Sequence, residues 1–125
     1  MSEGPNPKRY DLEERTFTFA KHVALFCRRL LKSAANIEYE KQLIRSAGSV
    51  GANYIEANES LSKKDFVMRI KICRKESKES AYWLRLIGET NSDEFRDESS
   101  ALFNEAVQLK KIFSSIVEKT KERTA

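Results

Sequence analysis

The sequence predicts an all-α protein, an antiparallel up-down-up-down four-helix bundle that oligomerises. Three observations carry this. Only four Gly and two Pro occur in 125 residues, and both Pro lie within the first seven positions, leaving the rest open to long helices. Apolar residues recur at helical spacing in four separate segments. The connections between those segments are short, which favours antiparallel neighbours. Hydrophobic residues make up 40% of the chain, ordinary for one folded domain with one core.

Residues 1–10 read as a loose tail, the bundle as residues 11–119, and residues 120–125 as a frayed end. The first helix is expected from Asp11, a candidate N-cap with Glu14 three residues on, to about Ala35. Its apolar face is Phe19, Val23, Phe26, Cys27, Leu30, Leu31 and Ala34. Lys21, Arg28, Arg29 and Lys32 lie opposite, with Leu25 among them. Asn36 is expected to end this helix and start the next.

The second helix, to about Ser60, is the predicted centre of the bundle. The ten residues between Arg45 and Glu56 contain no charge, although 34% of the chain is charged. That gap is about 15 Å of helix with no side plainly meant for water. Leu43, Ala47, Val50, Tyr54, Ala57 and Leu61 share one face; Ile44, Gly48, Gly51 and Ile55 share another, and both are expected to be buried. Gly48 and Gly51 each cost about 1 kcal/mol relative to Ala inside a helix. Close backbone approach is the expected offset, and the second face is the expected contact between copies.

The third helix starts at Ser62, with Asp65 three residues on and Leu61 positioned to staple onto Phe66. Phe66, Ile70, Cys73, Ser77, Ala81 and Leu84 form its core face. Lys64, Lys71, Lys75 and Lys78 fall opposite, within about 60°. Residues 63–78 hold seven basic and two acidic side chains, the strongest basic stripe in the protein. After a turn at Asn91, Ser92 and Asp93, the fourth helix carries Phe95, Leu102, Ala106, Leu109, Phe113, Ile116 and Val117 inward. Phe103 and Val107 stand off that stripe as a second apolar patch, added to the expected oligomer contact.

The chemistry that is missing narrows the function. A di-iron bundle site needs two Glu-x-x-His pairs, whereas His22 is the one histidine and Phe19 precedes it by three. A nucleophile–His triad would need the same residue, which sits beside Lys21 at the border of the apolar face. No metal, cofactor or catalytic set is expected, so the reading is not an enzyme. Cys27 and Cys73 occupy apolar helical positions and read as buried reduced thiols. MSEGPNPKRY is too polar for a signal peptide and no apolar run approaches a membrane span, so the expected location is cytoplasmic. Arg45, Ser49, Asn53, Glu56 and Glu79 read as a polar network fixing the register of the second and third helices.

The net charge of +4 is compatible with a nucleic-acid or acidic partner and demands neither. The lysine stripe, with Arg28, Arg29 and Lys32, can supply phosphate contacts without sequence readout. No aromatic is seen to alternate with these lysines as a stacking platform. Two functions follow: a nucleic-acid-binding accessory protein, or a structural adaptor oligomer that contacts protein alone.

YDLEERTFTFA, QLIRSAGSVGANYIEA and DFVMRIKICRKESKESAYWLRLI together resemble a family of small bacterial proteins. These are the four-helix bundles encoded in intervening sequences of large-subunit ribosomal RNA, also labelled ribosomal protein S23. The resemblance covers residues 10 to 90 well and the fourth helix loosely. The small-residue segment followed by Asn53 and Glu56, then Glu79 and Tyr82-Trp83-Leu84, is its most specific part. Ala57-Asn58 departs from the Gly the family shows after the Glu. The resemblance implies a ring-like homo-oligomer, commonly a pentamer. It also implies kinship with accessory proteins of diversity-generating retroelements, with RNA or DNA and a reverse transcriptase as candidate partners.

Overall fold

The computed structural model describes the backbone of residues 7–124 and the side chains of residues 11–121. Four helices follow one another: α1 (Pro7–Arg29), α2 (Ala34–Asn58), α3 (Lys63–Thr90) and α4 (Arg96–Thr124), with one 3-10 turn at Asp93–Phe95. Side-chain pairs across each seam give the topology. Asn36 meets Asn91, Ser46 meets Ser80, and Asn53 meets Arg69, so α2 and α3 run antiparallel. Arg15 with Glu105 and Arg29 with Glu98 set α1 antiparallel to α4. The protein is the all-α four-helix bundle that the periodicity predicts.

The apolar stripes converge on one core. Phe19, Val23, Phe26, Leu43, Val50, Ile70, Leu84, Leu109 and Phe113 are each 0–1% exposed. Phe26 meets Phe95 edge to face, and Tyr54 packs on Phe113. Cys27 and Cys73 are buried and unbridged, and burial first of all pushes both thiols up to about 12.

Several boundaries differ from the sequence reading. α1 begins at Pro7, so Asp11 lies inside the helix instead of capping it. A proline suits the first helical position because its missing N–H has no intrahelical partner there. The first six residues of the expected tail at 1–10 lie outside the described residues, and residues 7–10 belong to α1. At the other end the backbone of α4 continues through the expected frayed segment to Thr124.

α1 also stops at Arg29, six residues short of the expected Ala35. Ser33 caps α2, its hydroxyl accepting from the Asn36 N–H at 3.0 Å. Asn36 is instead buried one turn in, where its side chain bonds tertiary partners. Leu31, left beyond the end of α1, is 75% exposed. Ser62 does cap α3, accepting from the Asp65 N–H at 3.1 Å. Leu61 is fully exposed and forms no staple with Phe66.

The centre of the bundle is α3, which packs closely against both α2 and α4. α2 is less enclosed than its missing charge suggests: Ile37, Ile44 and Ile55 are about half exposed, and Gly48 is exposed. The uncharged stretch therefore buries one face in the chain and leaves the other bare. Gly51 does allow a close approach, since an added Cβ would lie 3.0 Å from Thr16 Oγ1 on α1. Gly48 meets nothing within 4 Å. Gly88, which the sequence did not single out, is the tightest point: a Cβ there would lie 2.6 Å from Ser99 Oγ on α4. Phe103 and Val107 are half-buried against the core.

Candidate nucleic-acid interface

α3 buries Ile70, Cys73, Ser77, Ser80, Leu84 and Ile87, and this fixes what its other side presents. Lys64, Lys71, Lys75 and Lys78 are all exposed on that outer face. Among the described residues, none of the four forms an ion pair with an acidic side chain. Their charge is available to an external anion.

The other basic candidates divide. Arg28 is exposed and has no ion pair among the described residues. Arg29 is held by Glu98, and Lys32 by Glu40 at 3.1 Å. An internally neutralised cation offers less to a phosphate. The seven candidates thus do not form one surface. The α3 lysines are the coherent set.

Folding adds one cation that a single helix could not reveal, Lys121, which is itself paired with Glu118 at 3.5 Å. Lys63, Lys64 and Lys71 rim a shallow groove of about 630 Å³ together with Lys121 from the far end of α4. Val67 and Met68 form its apolar floor. Only antiparallel packing of α3 on α4 brings Lys121 beside Lys63 and Lys64, so sequence spacing carried no signal for it.

The polar network predicted between α2 and α3 is present as two separate clusters. In one, the Arg45 guanidinium bridges Glu79 and, at 3.5 Å, Glu76. The Trp83 indole N–H donates to Glu79 Oε2 at 3.0 Å. Burial raises the Glu79 carboxyl. The bonds from Trp83 and Arg45, with the charges of Arg45 and Lys75, outweigh that and hold it below the ordinary value. In the other cluster, Asn53 donates to Ser49 Oγ at 2.9 Å and accepts from Arg69 Nη1 at 2.9 Å. Glu56 is exposed and its side chain joins neither cluster. Ser46 and Ser80, bonded at 2.9 Å inside the seam, complete the contact.

An aromatic group lies against the first cluster. Tyr39 packs on Trp83, and Tyr82 meets Trp83 edge to face with centroids 5.0 Å apart. Tyr82 is 60% exposed and sits one turn beyond Lys78. No aromatic alternates with the lysines, as expected from the sequence, but Tyr82 stands at the end of their stripe. The signal was in the spacing, since Tyr82 follows Lys78 by four.

His22 is exposed on α1. No group of three or more His, Cys, Asp or Glu side chains among the described residues could hold a metal. No helix among them is long and apolar enough to cross a membrane.

A comparison with curated proteins gave no match. Among solved structures, the chain is similar to a crystal structure from Bacteroides thetaiotaomicron, of a protein with unknown function from the S23 ribosomal protein family. The TM-score is 0.78 at 27% identity, covering 89% of this chain and 98% of that one. The profile of the family described as 23S rRNA-intervening sequence protein matches residues 8–115. That match spans most of the chain, and the chain belongs to the 23S rRNA-intervening sequence protein family.

Proposed function

We propose that this protein is a non-enzymatic, cytoplasmic accessory protein that binds the backbone of RNA or DNA through the outer face of α3. The observation that carries the reading is the set of four exposed lysines without ion pairs on one side of one helix. Phosphate contacts require positive side chains at suitable spacing and no base readout. The helical rise places Lys71, Lys75 and Lys78 within about 11 Å of one another along the axis. A ribosomal RNA or a reverse transcriptase is the companion that the family resemblance favours.

The active form in this reading is a homo-oligomer, with five copies favoured by the resemblance. The bare face of α2 supports it: Ile44 is 46% and Ile55 53% exposed, and exposed Gly48 lies between them, whereas Gly51 is packed against Thr16 of α1. Large apolar side chains left in water along one face mark a contact surface. A ring would repeat the α3 stripe and multiply weak phosphate contacts by avidity. The same face also favours the second reading, an adaptor oligomer that contacts only protein.

Two measurements on the wild-type protein test the proposal. Light scattering at micromolar concentration should give a particle several times 14.4 kDa. Anisotropy with labelled RNA and DNA should show binding that weakens as salt rises. A monomer contradicts the assembly. Assembly without binding at low salt leaves the adaptor reading standing and removes the nucleic-acid one.

A further inference from the structure

We infer that Tyr82 is a base-stacking residue that gives the lysine face of α3 a preference for single-stranded nucleic acid over duplex. The inference rests on the proposed backbone-binding role of the same face and adds the kind of strand it takes. At 100° per residue, Tyr82 lies five whole turns after Lys64 and so on the same line of the helix. Lys71, Lys75 and Lys78 stand within about 40° of that line. Lys78 is one turn away, near enough for one nucleotide to place its phosphate on the ammonium and its base on the ring.

The ring is both open and braced. Tyr82 is 60% exposed. It meets Trp83 at an interplanar angle of 79°, and an edge-to-face contact covers at most one face of either ring. Trp83 is fixed in turn, by its N–H bond to Glu79 and by Tyr39, whose centroid lies 6.1 Å away. A platform held in place loses little conformational freedom on binding. A base within a duplex is paired and stacked on its neighbours and cannot lie on such a ring, whereas an unpaired base can. Duplex would use the lysines alone.

The experiment compares labelled oligothymidine, oligouridine and a mixed-sequence duplex, by anisotropy, with wild type, Tyr82→Ala and Tyr82→Phe. Trp83 is the one tryptophan of the chain, so its emission reports on the neighbouring ring directly. Tyr82→Ala should weaken single-strand binding about fivefold to a hundredfold. It should leave duplex binding and the salt slope unchanged, because no charge is lost. Tyr82→Phe should bind as wild type, and single strands should change Trp83 emission more than duplex does.

Equal single-strand affinity for Tyr82→Ala and wild type overturns the inference, as does an equal loss on single strand and duplex. A loss in Tyr82→Phe as large as in Tyr82→Ala overturns it too, by assigning the effect to the hydroxyl. A smaller particle mass for Tyr82→Ala would place the ring in a copy–copy contact instead. In all of these results the lysine reading stands if wild type still binds with a salt-dependent affinity. If wild type binds no strand at low salt, both fall together.

Discussion

Asn36 and Asn91 exchange amide hydrogen bonds across the α2–α3 seam: Asn36 Nδ2 donates to Asn91 Oδ1 at 2.8 Å, and Asn91 Nδ2 donates back at 3.1 Å. Each nitrogen spends its second hydrogen on a backbone carbonyl, Leu31 for Asn36 and Ile87 for Asn91. One pair thus ties the α1–α2 connection, the start of α2 and the end of α3. Replacing either residue with Ala strands buried polar groups, at about 1–3 kcal/mol each. The two losses should not add: urea unfolding of both single mutants and the double should show a coupling of at least about 0.5 kcal/mol. Strict additivity would mean that the pair contributes nothing as a pair.

Gly88→Ala should destabilise the fold, against its helix propensity. The new Cβ would lie 2.6 Å from Ser99 Oγ and 3.3 Å from Ser99 Cβ. The hydroxyl cannot swing away without breaking its 2.8 Å bond to the Leu84 carbonyl. Overpacking of this kind costs about 1–3 kcal/mol, against a propensity gain of up to about 1 kcal/mol. A higher denaturation midpoint for Gly88→Ala would show that α3 and α4 are not so closely apposed. Gly48→Leu is the contrast. Nothing in the chain lies within 4 Å of a Cβ there, so the expected result is full helicity with a smaller particle.

Acid should erase what Glu79 contributes. Its carboxyl is held below the ordinary 4.5 once the bonds from Trp83 and Arg45 overcome its partial burial. A lowered folded-state value stabilises the fold above the unfolded value, and that stability is lost as pH falls through the folded value. Thermal melts of wild type and Glu79→Gln should differ most near neutral pH and converge in acid below about 4.5. A gap that persists unchanged at low pH would assign the effect to packing of Trp83, not to the charge.

Much of the bundle was legible because burial of an amphipathic helix leaves a periodic trace. The α3 core from Ile70 to Leu84, and its lysines opposite, follow from spacing alone. What depends on two helices at once was not legible. Gly88 looks like any helical glycine until Ser99 is opposite it, and Lys121 joins the α3 lysines only through packing. The end of α1 was misplaced because Ser33 and Asn36 can both cap a helix, and only the buried contact with Asn91 decides between them.

The central claim is that the outer face of α3 binds phosphates, and the salt dependence of binding measures it directly. Lys71 and Lys75 are exposed and away from the core, so Lys71→Gln with Lys75→Gln should leave the fold and the particle mass unchanged. On duplex DNA, each lost phosphate contact flattens the slope of log affinity against log salt by about one unit. Anisotropy across a salt series should therefore give a slope smaller by about two units per participating subunit in the double mutant. Equal affinities and equal slopes for mutant and wild type would remove α3 from the binding surface and contradict the account.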